Sequence, residues 1–477
     1  MIYLIVFLAI VLRSINLNQS FWFDEAITVN VVNNSGFKEL ITNYAPGDFH
    51  PPLHYLILRI WSNLVPLSEI SARSISVLLG AATVFTTYLV AKKFFEQKTA
   101  LIASILIATS PLHIYYSQET RMYILAAFLV SLSVYFFISI IDKDSIANWT
   151  GFIVSTSLML YSDYLPYLMI PVYFLYLILF RGKIAKSTFR GFIPAFLLIL
   201  ILISPWLLIL PHQLKVGLSA TEASPAWAQV VGSPSLTSFI ITFVKFTIGR
   251  ISNNNNSIYF LTFLPAALFV VLMFVLSLFR LSPKRSFLFM WFFIPIVSAF
   301  LIAYFIPVYA YFRFIFVLPA FYLIWASAIN TVNIKKLLTP LLLSALLINA
   351  ISLVIYYLNP KFQREDWKNA TVYVTQEPSA STIALFESSG TIAPFDYYNK
   401  NKIPAFGALN SFNAQEDDVS QNIEKLTKKK DHVFLFQYLS GITDPTGIVF
   451  ENLTEHGFRN ISTRDFPGVG FVYEFKR

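Results

Sequence analysis

Apolar runs of about 17–25 residues, each long enough to cross a bilayer, recur through the first three quarters of this chain. That feature excludes most folds. Inside hydrocarbon every backbone N–H and C=O must be satisfied within the protein, and only helices and closed barrels achieve it. Runs of this length specify helices. Of the 477 residues, 56% are hydrophobic and 13% charged, which fits a polytopic α-helical membrane protein. There is no cysteine, so disulfides, thiolate metal sites and cysteine nucleophiles are excluded. The formal net charge of +9 does not indicate nucleic acid. Many of the basic residues fall in short loops between spans, where membrane orientation accounts for them.

About eleven transmembrane helices are expected, over 1–13, 71–91, 99–116, 122–141, 149–162, 165–180, 189–211, 258–279, 286–306, 311–330 and 337–358. No small-residue cleavage site follows the first run, which is read as a retained span. Basic loops then set the sides: Lys92, Lys93 and Lys98; Arg181, Lys183, Lys186 and Arg190; Arg280, Lys284 and Arg285; Lys335 and Lys336. An even number of spans separates each loop from the next, so all four are placed in the cytoplasm. The segment 52–65 is short for a span and carries His54 and Arg59; it is read as an interfacial helix. The N-terminus is then inside, and the outer loops are about 18–70, 116–121 and 212–257. The domains expected are a membrane part over 1–360 and an extracytoplasmic α/β domain over 361–477. In the latter "STIALFE", "DHVFLFQY" and "VGFVYEFK" read as strands, and "DVSQNIEKLTKKK" and "GIVFENLTEHG" as helices. "NNNN" at 253–256 reads as loop.

The outer face gathers ionisable residues that are costly near a membrane and invite a functional reading. "FWFDEAITVN" places Asp24 and Glu25 just after the first span. His50 precedes two prolines, "YYSQETRMY" brings Gln118, Glu119 and Arg121, Asp163 lies between two spans, and Arg313 opens another. Plainer roles exist for each. Asp24 can cap a helix, Glu25 can be an ordinary first-turn acid, and Pro51 and Pro52 can fix a rigid entry. Glu119 and Arg121 can pair, Arg313 can snorkel, and Asp163 can be a turn residue. As a set, a carboxylate beside guanidinium groups at a membrane surface suits chemistry on a lipid-borne phosphate. Arginine matches phosphate oxygens with a planar fork, and a carboxylate can take a proton from an attacking hydroxyl.

"FWFDEAITVN" with the upstream "VLRSINL", then "HPPLHYLILRIW", "YSQETRMYILAAFLVSLSVYFF" and "RFIFVLPAFYL" resemble, in order, the GT-C glycosyltransferases. The nearest branch includes protein O-mannosyltransferases and the lipid A aminoarabinose transferase. The resemblance implies a GT-C-like fold with a soluble domain after the last span, in the cytoplasmic membrane. It implies transfer of a sugar from a polyprenyl-phosphate donor to an acceptor hydroxyl outside that membrane. The acceptor can be protein, lipid or polysaccharide. Asp24 maps onto the proposed general base, expected to act with inversion, and Glu25 onto the companion acid. His50, Gln118, Glu119, Arg121 and Arg313 map onto donor or acceptor contacts. No cofactor or catalytic metal is implied, although a carboxylate cluster can also hold a divalent ion. Two other readings compete: a transporter or flippase of a lipid-linked sugar, and a non-catalytic glycan-binding membrane subunit.

Overall fold

The computed structural model describes residues 1–223, 232–253, 255–278, 282–331, 335–409 and 418–477. Arg280, Asn254, residues 224–231 of the expected outer loop and the side chains of Lys335 and Lys336 lie outside this description. Among the described residues seven helices are long and apolar enough to cross a membrane: Glu69–Phe94, Tyr123–Asp142, Lys186–Leu207, Asn256–Leu278, Pro283–Ile302, Tyr311–Asn330 and Thr339–Leu358. A bent pair, Gln97–Ala108 and Pro111–Ser117, makes an eighth if it is one span. The expected spans 1–13, 149–162 and 165–180 are the shorter helices Ile2–Ser14, Ile146–Ser162 and Leu165–Leu179. Part of the expected loop 212–257 is instead an apolar helix, Leu236–Ile248.

The bend in the pair, 59°, has a local cause. Ser110 caps the second half, accepting from the His113 N–H, and Pro111 supplies no N–H to continue the first. The carbonyls freed by the break are recovered by Arg13 from the first helix. It donates to the Ala108 and Ile107 oxygens at 3.0 and 3.3 Å and to Ser117 Oγ at 3.1 Å. This buried arginine needs room at Gly80, where a Cβ would lie 2.4 Å from Ser117 Oγ and 2.9 Å from the Arg13 Nε. The kink thereby fixes where residues 118–121 emerge.

The segment after the first span folds into the helix Phe23–Asn34, and the expected interfacial helix is Leu53–Ser62. The latter buries His54, Tyr55 and Leu58.

After the last span the chain builds a five-stranded sheet, ordered β2-β1-β3-β5-β4. The strands are β1 (Thr382–Ser388), β2 (Ala405–Leu409), β3 (His432–Phe436), β4 (Arg459–Phe466) and β5 (Gly470–Lys476). β1, β2 and β3 are parallel, and β5 runs antiparallel to β3 and β4. The three expected strands are β1, β3 and β5. Strand β1 is buried along its whole length because both faces are covered, as parallel sheets require. One face packs Phe386 and Phe436 with Trp367 and Phe23; the other packs Leu385, Val433 and Leu435 with Ile423 and Leu453. Phe23 comes from the helix after the first span, so the sheet's first face is closed by the membrane part. Polar contacts extend the joint. Tyr398 Oη accepts from the Phe21 N–H and donates to Glu69, both at 2.8 Å, and Asn30 Nδ2 donates to the Ala393 oxygen at 3.0 Å.

Candidate active site

The two adjacent acids at the start of the helix Phe23–Asn34 face opposite environments, since successive helical side chains lie about 100° apart. Glu25 points inward and is 0% exposed. Arg73 clasps it with Nε on Oε1 at 2.9 Å and Nη2 on Oε2 at 2.5 Å. The Thr120 N–H donates to Oε1 at 2.7 Å. Arg73 also donates to the Leu17, Gln19 and Ser20 carbonyls. Burial works against the Glu25 charge, but Arg73 wins, aided by Arg364 and the Thr120 N–H, and holds the carboxyl below its ordinary pKa. Glu25 therefore ties together the end of the first span, the helix Glu69–Phe94 and residues 118–121.

Asp24 points outward, with 27% of its side chain exposed. Its nearest cation is Arg121, Nη2 to Oδ2 at 3.7 Å, which is an ion pair without a tight hydrogen bond. Arg121 is anchored by Nη1 donating to Thr28 Oγ1 at 3.0 Å, while its Nε, buried, has no partner among the described residues. The charges of Asp24, Arg121, Arg313 and Glu119 all bear on the Tyr123 hydroxyl. Those of Arg121 and His50 bear on His54, whose imidazole is pushed down to about 3 by burial and then by Arg121. It stays neutral at physiological pH. Among the described residues, buried polar atoms without a partner also include Trp22 Nε1, His50 Nδ1, His54 Nε2, Glu119 Oε1, Thr120 Oγ1 and Arg313 Nε. Buried polar groups are costly to leave unpaired.

Glu119 and Gln118 are engaged elsewhere. Glu119 Oε2 accepts from Arg364 Nη1 at 2.9 Å, and burial, with Glu25 adding to it, raises its pKa against Arg364. Gln118 donates to the Arg13 and Ile15 carbonyls and accepts from Tyr356 Oη at 2.8 Å. It joins the first and last spans. His50 Nδ1 stands 3.8 Å from Asp163 Oδ1. Thus the structure pairs Asp24 with Arg121, brings Arg313 to the same Tyr123, sets His50 beside Asp163, and turns Glu25, Gln118 and Glu119 inward.

Two guanidinium groups that sequence reading did not single out flank Tyr115. Arg364 lies over its ring at 3.9 Å from the centroid and Arg250 at 4.8 Å, the latter also donating to Tyr115 Oη at 2.8 Å. Arg250 is exposed, and Lys245 precedes it on the same segment, over the Tyr259 and Tyr311 rings. An arginine just past an apolar helix was a signal in the sequence, hidden by reading 212–257 as a loop. Glu365, from the start of the C-terminal region, accepts from Trp367 Nε1 at 2.7 Å and Tyr438 Oη at 3.0 Å. Burial pushes its carboxyl up to about 7, and Asp24 contributes in the same direction. Among the described residues no group of three His, Asp or Glu side chains is placed to hold a metal ion.

The family model for dolichyl-phosphate-mannose-protein mannosyltransferase matches residues 49–209. No curated protein matches by sequence. Over 99% of its length the chain superposes on ArnT from Cupriavidus metallidurans bound to undecaprenyl phosphate, covering 97% of that chain (TM-score 0.57, 13% identity). It also superposes on the oligosaccharyltransferase AglB from Archaeoglobus fulgidus in complex with an inhibitory peptide and a dolichol-phosphate (TM-score 0.58, 11% identity, 99% of this chain and 74% of that one). The chain has the GT-C fold, and within it resembles the O-mannosyltransferases and ArnT.

Proposed function

We propose that this protein is a glycosyltransferase that moves a sugar from a polyprenyl-phosphate carrier to an acceptor hydroxyl at the outer face of the cytoplasmic membrane. The observation that carries the reading is the open Asp24 carboxylate, 3.7 Å from Arg121, whose buried Nε has no partner among the described residues. The polyprenyl phosphates bound by the two structural relatives support a donor of that class. The peptide bound by one of them makes a protein acceptor one choice among protein, lipid and polysaccharide.

In this reading Asp24 takes the proton of the acceptor hydroxyl. The hydroxyl oxygen bonds the anomeric carbon as its bond to the carrier phosphate breaks, with inversion. Negative charge gathers on the departing phosphate. Fixed guanidinium groups stabilise it at no reorganisation cost; Arg250, Arg313 and Arg121 are the candidates. His54, neutral, and His50 offer hydrogen bonds to the acceptor. Glu25 does no chemistry here; with Arg73 it holds the helix that presents Asp24. The domains follow the same division, 1–360 carrying the reaction and 361–477 closing it from outside.

The test offers the purified protein a panel of polyprenyl-phosphate sugars with and without acceptor, and measures free polyprenyl phosphate and glycosylated product. Release that requires an acceptor and yields one anomer supports the reading. Movement of the carrier-linked sugar across vesicles with no acceptor and no release overturns it in favour of a flippase.

A further inference from the structure

Three glutamates withdrawn from solvent lie near the junction of the membrane part and the C-terminal region, and they differ in what faces them. Glu25 is clasped by Arg73, and Glu119 by Arg364. Glu365 has no ion pair among the described residues and is met by neutral donors. Trp367 Nε1 donates to Oε2 at 2.7 Å, and the Tyr438 hydroxyl lies 3.0 Å from both carboxyl oxygens. The Arg364 guanidinium, one residue away, is engaged with the Tyr115 ring and Glu119.

A carboxyl taken out of water without a cation favours its neutral form, and burial accordingly brings Glu365 up to about 7. The Tyr438 hydroxyl can donate to the carboxylate or accept the proton of the acid. Its equal distance from the two oxygens lets it do either without rearrangement. The turn between β4 and β5 backs the side chain closely, since a Cβ at Gly468 would lie 2.9 Å from Glu365 Cγ.

Glu365 stands near the open acid. Tyr438 packs edge-on against Phe23, ring centroids 6.2 Å apart, and Asp24 is the next residue. The Asp24 charge bears on both Glu365 and the Tyr438 hydroxyl. The other ionisable groups beside Glu365 are its chain neighbours. Arg364 opposes Asp24 more weakly, and Asp366 is spent capping the helix Trp367–Val374. Turn residues 467–469 bring no ionisable side chain.

We propose that Glu365 is a positioning residue for the site, through which the C-terminal region sets the strength of Asp24 as a base. Ionised, Glu365 adds a second negative charge near Asp24, which then holds a proton more tightly; protonated, it leaves Asp24 to Arg121 alone. The coupling is reciprocal, because an interaction between two ionisable groups acts on the titration of both. The inference rests on the reading of Asp24 as the base, but the coupling is measurable without turnover.

Full-length protein in detergent would be titrated across neutral pH while the carboxylic C=O bands are followed by difference infrared spectroscopy. The band that Glu365→Gln removes belongs to Glu365, and in the wild type it should fade near pH 7 as pH rises. Asp24→Asn removes a like charge and should move this loss to lower pH. Tyr438→Phe removes a donor to the carboxylate and should move it to higher pH. A Glu365 band that Asp24→Asn leaves in place overturns the inference, whether or not sugar is transferred. In the transfer assay, wild-type turnover should climb through the same pH interval. Glu365→Gln, unfolding like the wild type, should lose that climb and keep the lower rate; a profile parallel to the wild type overturns the inference as well. Absence of transfer with every donor, beside an infrared shift in Asp24→Asn, would sink the transferase reading and leave the coupling standing.

Discussion

Two carboxylate centres one residue apart, Asp24–Arg121 and Glu25–Arg73, show how position on a helix turns one chemistry into two jobs. At Glu25 the partners are close, bidentate and enclosed, every oxygen is engaged, and nothing is left for a ligand. At Asp24 the pair is loose and partly solvated, and the Nε of Arg121 has no partner among the described residues. Closed geometry makes a joint between three segments; open geometry leaves a carboxylate able to accept a proton. A charge next to a membrane is therefore functional or structural according to how completely its hydrogen-bonding capacity is used up.

The sharpest break of this contrast is Asp24→Asn. The amide keeps the side chain's shape but cannot take the acceptor's proton. Turnover should fall roughly 10²–10⁴-fold, with thermal unfolding and donor binding nearly unchanged. Turnover at the wild-type level would make the open pair structural too. Glu25→Gln should do the reverse. It leaves Arg73 buried and unpaired, at a cost of about 3–5 kcal/mol, read as a lower unfolding midpoint and loss of folded protein on detergent extraction. A Glu25→Gln protein as stable as the wild type yet inactive would move the base to Glu25.

Third in size, Arg250→Ala should weaken capture of the polyprenyl-phosphate donor by about 1.5–3 kcal/mol, roughly 10–100-fold, seen by donor titration. Arg313→Ala should act in the same direction. Unchanged donor dependence in both would take the phosphate away from this cluster.

The smallest effect concerns a third carboxylate, in the sheet. Glu387 on β1 is 3% exposed, accepts from Thr443 Oγ1 at 2.8 Å, and is pushed up to about 8 by burial, with Asp444 adding to it. Its folded pKa lies above its unfolded value, so the folded state holds a proton that the unfolded chain has lost between pH about 4.5 and 8. Stability from this group is full below that window and is lost as pH rises through it, at roughly 1.4 kcal/mol per unit. Glu387→Gln should flatten the decline, as followed by unfolding midpoints from pH 5 to 9. An unaltered slope would mean the carboxyl ionises without cost.

The sequence made Asp24 legible because an acid directly after an apolar run has few cheap explanations. It did not separate Asp24 from Glu25. Which of two neighbours faces inward depends on the rotation of the helix, and that is set by Arg73, 48 residues along. Arg364 lies 245 residues from its partner Glu119, a distance over which no local pattern operates. Spans are legible where hydropathy is sustained; the thirteen residues of Leu236–Ile248 fall short of a crossing and lie within the expected loop 212–257. Strands β1, β3 and β5 showed as apolar runs, whereas β4, "RNISTRDF", is an exposed edge with no apolar face to betray it.

Arg364 also bears on how such a protein can be recombined. Composition changes at the last span, and a splice there looks natural for trading one soluble domain for another. Yet Arg364 lies beyond that point with its guanidinium stacked on Tyr115 and bound to Glu119, and Gln363 and Lys368 reach back to residues 18–19. A chimera joined near residue 360 would import a foreign plug into this mouth of the bundle. One joined after the helix Trp367–Val374 would keep the native plug and exchange only the sheet, so the heritable unit of the bundle runs well past its hydrophobic end.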